Sequence, residues 1–329
     1  MSFRISPLWW PIVAVTSPAI IPLLLVKNRR FQKGREDVVA LNEDRIHRAK
    51  PLELPELDFL ELTVLVEWKT EEGFIGDAGV SYLFKNELGS VLFDVGFGPA
   101  RPAFTHNADK LGFNLNQVDA LTISHLHCDH MGGLSAQRSL KVTVPEKLMP
   151  KEQTACFLPD KAGADGFDAR LVEEPQLLAA GIASTGPLAR RLFLLGHTEE
   201  QALLARIKGK GLVVFTGCGH PTIEVILEMV KRLSDEPLYA VGGGLHFPIT
   251  DGRGNRVGIK VQTIFGTGKP PWQRITDEDL SRTIAAINAA GPKEVYLSGH
   301  DTCDYALNRM TKELTAETSV LKAGATYRL

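Results

Sequence analysis

The chain has 329 residues, enough for one large α/β body or two small domains with a substantial buried core. Lysine and arginine total 37 against 39 acidic residues, so the formal charge of -2 gives no general attraction to polyanions, and no nucleic-acid partner is expected. The four cysteines, Cys128, Cys156, Cys218 and Cys303, lie far apart without a CxxC pair, which argues against a disulfide-dense secreted scaffold and reads as reduced thiols.

No residue between Arg4 and Lys27 is charged, and ISPLWWPIVAVTSPAIIPLLLV is about long enough to cross a hydrocarbon core of roughly 30 Å. Pro7, Pro11, Pro18 and Pro22 each remove a helix donor, so the segment either spans the membrane or lies on it. Lys27, Arg29, Arg30, Lys33 and Arg35 follow at once, and by the positive-inside rule they place the downstream domain in the cytoplasm. The organisation expected is a hydrophobic anchor with its basic flank over 1–35, a charged, proline-punctuated tether over 36–57, and a catalytic domain over 58–329.

Within that domain FLELTVLVEW, GVSYLFKN and SVLFDVG have the short apolar runs of strands. Arg101 to Leu111 suggests a helix. QALLARI and GLVVFTG read as strands joined by the tight KGKG turn, and PTIEVILEMVKRL as an amphipathic helix opened by proline. Thr276, with Asp279 three residues on, makes a capping-box start for a helix through Ala290, and KEVYLSG is a further strand. This order points to sheets covered by helices.

The chemistry concentrates in ALTISHLHCDHMGGL, where an apolar strand ends and His125, His127, Asp129 and His130 follow within six positions. Alternation on an extended turn puts His125 and His127 on one side, with Asp129 and His130 available to a second ion. Imidazole and carboxylate together suit zinc, manganese or iron, and four donors so close make a two-metal site plausible. Gly132 and Gly133 let the backbone turn sharply away beneath them.

His-x-His-x-Asp-His at a strand end resembles the hallmark of the metallo-β-lactamase superfamily. The chain is most similar to its dihydropterin synthase-like branch, through GVSYLF, LFDVG, KLGFNLNQVDALTISHLHCDH, EEQALL, TGCGHPTI, GGGLHF, SGHDTC and KAGATYRL, in order over about residues 60 to 329. The resemblance implies an αββα sandwich, which here would follow the N-terminal membrane anchor read from the apolar run, with two divalent metal ions and an Asp94 that orients a metal-binding residue from behind. TGCGHPTI departs from the pattern: Cys218 stands where the superfamily has a bridging aspartate, and is either a soft bridging ligand or a bystander. The reading implied is His125, His127 and His220 on one ion, with Asp129, His130 and His300 on the other. His197, in LGHTEEQALL, competes with His220 and ranks below it.

The expected catalytic residues are Asp129, steering a water activated by the ions, and His246 in VGGGLHF, an acid or substrate contact. The segment DGRGNRVGIKVQTIFGTGKPPWQR, with Arg253, Arg256, Lys260, Lys269 and Arg274, resembles a flap that holds an anion. Together these features predict a metal-dependent hydrolase of a small anionic ester, phosphate-bearing or lactone-like. The rivals are a membrane-tethered metal-binding scaffold without catalysis, and a metal-dependent redox or pterin-related enzyme.

Overall fold

Strands that bury alternate residues on one face and helices that bury one stripe must cover each other, and here they do so in four layers. The computed structural model describes residues 5–253, 255–256, 258–265 and 268–329. Among them, one sheet runs in the order Phe167–Leu171, Thr154–Leu158, Ala120–Thr122, Gly89–Phe93, Ser81–Asn86, Glu61–Val66 and Thr326–Arg328. The other runs Gln176–Ala179, Ile182–Ser184, Leu203–Ile207, Gly211–Thr216, Leu238–Gly243, Glu294–Leu297 and Glu317–Val320, with Glu56–Leu57 paired to Leu203–Ile207.

Between the sheets, Leu62, Val64, Tyr82, Phe84 and Phe93 meet Val213 and Phe215 in one buried cluster. The Phe84 and Phe215 rings lie edge to face, 4.9 Å apart. Cutting such a phenylalanine to alanine costs about 3–5 kcal/mol. Outside the second sheet, the helix Ile223–Leu233 lays Ile226, Val230 and Leu233 on the strands, as its apolar stripe requires. Outside the first sheet, Pro102–Leu111 buries Ala103, Phe104 and Ala108, with Arg101 as its N-cap residue. The helix Asp277–Ala290 has the capping box expected at Thr276 and Asp279, and stops at Gly291, whose φ of 67° suits a residue without Cβ.

The connectivity gathers strand ends. Gly89–Phe93 and Ala120–Thr122 run parallel, and so do Gly211–Thr216, Leu238–Gly243 and Glu294–Leu297. Their C-terminal ends release Asp94, His125, Cys218, His246 and His300 at one rim.

The N-terminal apolar sequence forms a helix, α1, over Trp10–Arg48. With the turn before it, it is long and apolar enough to serve as a membrane anchor or signal sequence, and its apolar stretch is not buried in the protein. Pro18 leaves the Ala14 carbonyl without its helical donor, and the Ser17 hydroxyl donates to that carbonyl at 2.8 Å instead. The second half of α1 behaves differently: Phe31, Val38 and Asn42 are buried. The Asn42 amide donates to the Ala189 carbonyl at 2.9 Å and accepts the Ala189 N–H at 2.8 Å, while Arg45 holds Glu199 through two nitrogens.

This corrects the tether expected over 36–57. Residues through Arg48 are helical and docked, and Glu56–Leu57 joins a sheet, because the charged run carries a buried face that its composition conceals. The expected anion-holding flap also differs. Arg253 donates to the Gly299 and Thr302 carbonyls and to Asp304, Lys260 to the Thr250 carbonyl, and Lys269 to Asp279 and the Arg274 carbonyl. Half-buried loop carbonyls need donors, and these cations supply them. Gly254, Val257, Gly266 and Thr267 of that segment lie outside the described residues.

Candidate metal centre

Two groups of donors stand side by side at the rim. In one, His125, His127 and His220 each offer an atom within 4.8 Å of the others; in the second, Asp129, His130, Cys218 and His300 do the same. His246 joins Cys218 and His220 in a third, overlapping set.

The rings are fixed from behind. Ser124 Oγ lies 2.9 Å from His125 Nδ1, Asp94 Oδ2 lies 2.6 Å from His130 Nδ1, and Ser298 Oγ lies 2.6 Å from His300 Nδ1. Each contact engages Nδ1 and turns Nε2 toward the centre. His130 Nε2 and His300 Nε2 stand 3.1 and 3.3 Å from Cys218 Sγ, and His220 Nε2 lies 3.2 Å from His127 Nδ1. His125 Nε2 is buried with no hydrogen-bond partner. A buried nitrogen among other lone-pair donors is costly unless a cation completes it. That orphan, with the mixed imidazole, carboxylate and thiol set, fits divalent metal.

Backbone geometry supports the arrangement. Asp94 sits at φ 62°, a left-handed conformation that aspartate tolerates, and accepts from Ser124 N as well as Ser124 Oγ at 2.7 Å. A Cβ on Gly217 would stand 2.1 Å from Ser124 Oγ, so only glycine lets the Cys218 loop approach this network. The carboxylate of Glu200 accepts the backbone N–H of Cys218, Gly219 and His220 at 2.7–3.0 Å, and fixes that loop. Burial pushes Glu200 up to about 7 in spite of those three donors.

The electrostatics divide the two groups. Burial, reinforced by neighbouring imidazoles, holds His125 and His220 well below the ordinary histidine range, and burial brings His127 down to about 4. All three are therefore neutral donors at pH 7. Around the second group, burial is outweighed by carboxylates: Asp94 and Asp129 raise His130, and Asp301 and Glu67 bring His300 up to about 9. Burial, then Asp301 and Asp129, pushes the Cys218 thiol far up. The buried carboxylates that raise both imidazoles would likewise favour a cation held among them.

Every residue singled out from the sequence as a metal donor stands at this rim, and His246 is at its edge. His246 has φ 58°, and both its ring nitrogens are buried without a hydrogen bond. For a bulky side chain that backbone is strained, as residues at working sites often are. His197 is elsewhere, half exposed and 2.7 Å from Glu199. Strand parity explains it: along Gly196–Glu200, Thr198 and Glu200 face the centre, while His197 and Glu199 face away from it. Sequence reasoning missed Glu200, Glu67, Ser124 and Ser298. Serine one or two places before a histidine was a readable signal for the last two; Glu67, which accepts from Tyr82, Ser298 and the Gly299 N–H, gave none.

The model of the metallo-β-lactamase superfamily matches residues 75–146, the segment that contains the His-x-His-x-Asp-His run. Over that segment the chain is similar to the metallo-β-lactamase superfamily. A curated relative is the 7,8-dihydropterin-6-methyl-4-(β-D-ribofuranosyl)-aminobenzene-5'-phosphate synthase of Methanocaldococcus jannaschii, 23% identical over 289 residues that cover 76% of this chain and 90% of the relative. Among solved structures, a metal-dependent hydrolase of the β-lactamase superfamily aligns over 82% of this chain and 98% of its own with a TM-score of 0.59 and 23% identity, which supports the αββα metallo-β-lactamase fold.

Proposed function

We propose that this protein is a metal-dependent hydrolase of the metallo-β-lactamase superfamily that uses two divalent cations, zinc ahead of manganese or iron, on an anionic ester, phosphate-bearing or lactone-like. The observation that carries this reading is the pair of adjoining donor groups with His125 Nε2 buried and unpartnered between them. His125, His127 and His220 would hold one cation, and Asp129, His130 and His300 the other, with Cys218 Sγ between His130 and His300 as a soft additional donor. Bound there, the cations would supply Lewis acidity to activate a water and the carbonyl or phosphoryl under attack.

The protein's own groups do the rest. Asp129, still partly open to solvent, orients the water and takes up its proton on a carboxylate oxygen. His246, its Nδ1 3.7 Å from the Asp301 carboxylate, lines the cavity beside His220 and delivers a proton to the leaving oxygen. The apolar α1 holds the enzyme at a membrane, and the basic residues after it favour a cytoplasmic catalytic domain. The test is metal analysis of the purified protein, followed by reconstitution with zinc, manganese or iron against a panel of phosphodiesters, lactones and carboxylic esters. Turnover with at least one metal is expected, and none with any would refute hydrolysis.

A further inference from the structure

A cavity of about 410 Å³ opens beside the rim, lined by His220 and His246 at one end and by Arg190, Thr222 and Thr283 along its walls. Its other charged groups are already matched: Asp279 takes Lys269 and Arg282, and Glu224 accepts from the Thr283 hydroxyl. Arg190 is the exception. It is half-buried, and among the described residues its guanidinium makes no hydrogen bond or ion pair.

Strand parity places it there. Along Leu188–Leu192, Arg190 and Leu192 line the cavity, while the opposite face is covered by α1: a Cβ on Gly34 would touch Arg191, and the Phe193 ring just beyond packs on Phe31 at 5.3 Å. Asn42 of α1 clasps Ala189 from the same side, so the strand cannot move to find Arg190 another partner. Burial, with repulsion from Arg35 of α1, depresses the Arg190 guanidinium, and an anion in the cavity would relieve both.

We propose that Arg190 is the specificity-determining residue of the site, binding an oxyanion, carboxylate or phosphate, carried by the substrate while its ester lies at the His220 end of the cavity. The claim rests on the hydrolase reading above and adds the group that recognises the substrate. Glu224 and Asp279 share the cavity and attract the guanidinium, but Asp279 is engaged by Lys269 and Arg282 and Glu224 by the Thr283 hydroxyl. Neither hydrogen-bonds Arg190, which leaves its planar, bidentate fork open in a partly dry pocket, where a charge-assisted pair is strongest.

The test uses the full-length, metal-loaded protein in detergent, with 4-nitrophenyl hemisuccinate and 4-nitrophenyl butyrate as a matched pair differing in one carboxylate. In Arg190→Gln, the ratio of kcat/KM for the hemisuccinate over the butyrate is expected to fall about 10- to 100-fold, with partial recovery in Arg190→Lys. A ratio within twofold of wild type, in a variant whose Tm is preserved, would overturn the proposal. Succinate binding by calorimetry gives an answer independent of turnover. If wild type hydrolyses neither these esters nor any member of the panel above, the hydrolase reading fails, yet succinate binding lost in Arg190→Gln and regained in Arg190→Lys would still support the anion site; equal binding, or none to wild type, would overturn it. A 4-nitrophenyl monoester of a long-chain dicarboxylate in micelles, run beside the hemisuccinate, distinguishes a membrane-borne anion from a soluble one, and the loss in Arg190→Gln is expected in both arms.

Discussion

Replacing Asp94 by asparagine isolates the support behind the metal centre. Asparagine keeps the side-chain volume and tolerates the left-handed backbone at φ 62°, so the strand end is not strained by the change. What changes is hydrogen bonding. Asp94 accepts three bonds, from Ser124 N, Ser124 Oγ and His130 Nδ1. An amide presents one oxygen and one NH2, so keeping the Ser124 N–H bond turns the NH2 toward His130 Nδ1. His130 must then move that proton to Nε2, the nitrogen that faces Cys218 and the centre. Losing the orienting carboxylate behind a metal-binding histidine typically costs 10- to 100-fold in metal affinity, or about 1.4–2.7 kcal/mol. Competition with a chelator of known affinity, followed by metal analysis, should show the second of two binding events weakened by that factor and the first much less affected. Both events unchanged within about threefold would refute the claim that Asp94 acts through His130 on a metal.

Two further outcomes follow from the same geometry. Cys218→Asp restores a hard oxygen donor between His130 and His300, and should shift preference from zinc toward manganese by about tenfold or more in competitive loading; an unchanged ratio would place the thiol outside the coordination. Glu199 is held below its usual 4.5, because His197 and Arg45 outweigh the burial that opposes ionisation. A depressed carboxylate stabilises the folded chain above its unfolded pKa, and that contribution is lost as pH falls through the folded value. Glu199→Gln should therefore cost about 1 kcal/mol at neutral pH, at the low end for a charged pair still partly open to solvent, with the deficit vanishing on acidification below 4.5 in urea unfolding.

The local signals were the legible ones. The capping box at Thr276 and the KGKG hairpin each depend on residues within a few positions of one another, and each stands as read, whereas the amphipathic helix after the hairpin starts at Ile223, with Pro221 just before its N-cap Thr222. The gathering of these side chains at a strand end was also legible, because a strand followed at once by His125-x-His127-x-Asp129-His130 leaves them little freedom. Support that reaches across the chain was not. Glu67 meets Ser298 from 231 positions away, and no pattern near Glu67 distinguishes it from any other carboxylate in a strand. The tether failed for the opposite reason: REDVVALNEDRIHR reads as a solvated run, yet Val38 and Asn42, one turn apart, form the stripe that docks α1. The flap cations failed because carbonyl satisfaction inside a loop depends on how the loop folds back.

The strand Gly196–Glu200 shows why that docking bears on function. Its successive carboxylates point opposite ways: Glu199 is gripped by Arg45 of α1, and Glu200 holds the three N–H groups that carry Cys218, Gly219 and His220 into the centre. Moving one side of a strand residue moves its neighbour, so α1 and the Cys218 loop share a support. Two truncations separate anchoring from that support. Removing residues 1–26 takes away the apolar stretch but leaves Phe31, Asn42 and Arg45 in place, and should release the protein from membranes with little change in Tm or metal content. Removing residues 1–57 also strips the cover from Leu188–Leu192, the clasp on Ala189 and the Arg45 pair, losing a buried phenylalanine worth about 3–5 kcal/mol before the polar contacts are counted. That second truncation should lower Tm by well over 5 °C or fail to fold, given roughly 2–4 °C per kcal/mol for a chain of this size. Equal stability of the two would show that α1 is an anchor alone and that Glu200 keeps its loop in place without it.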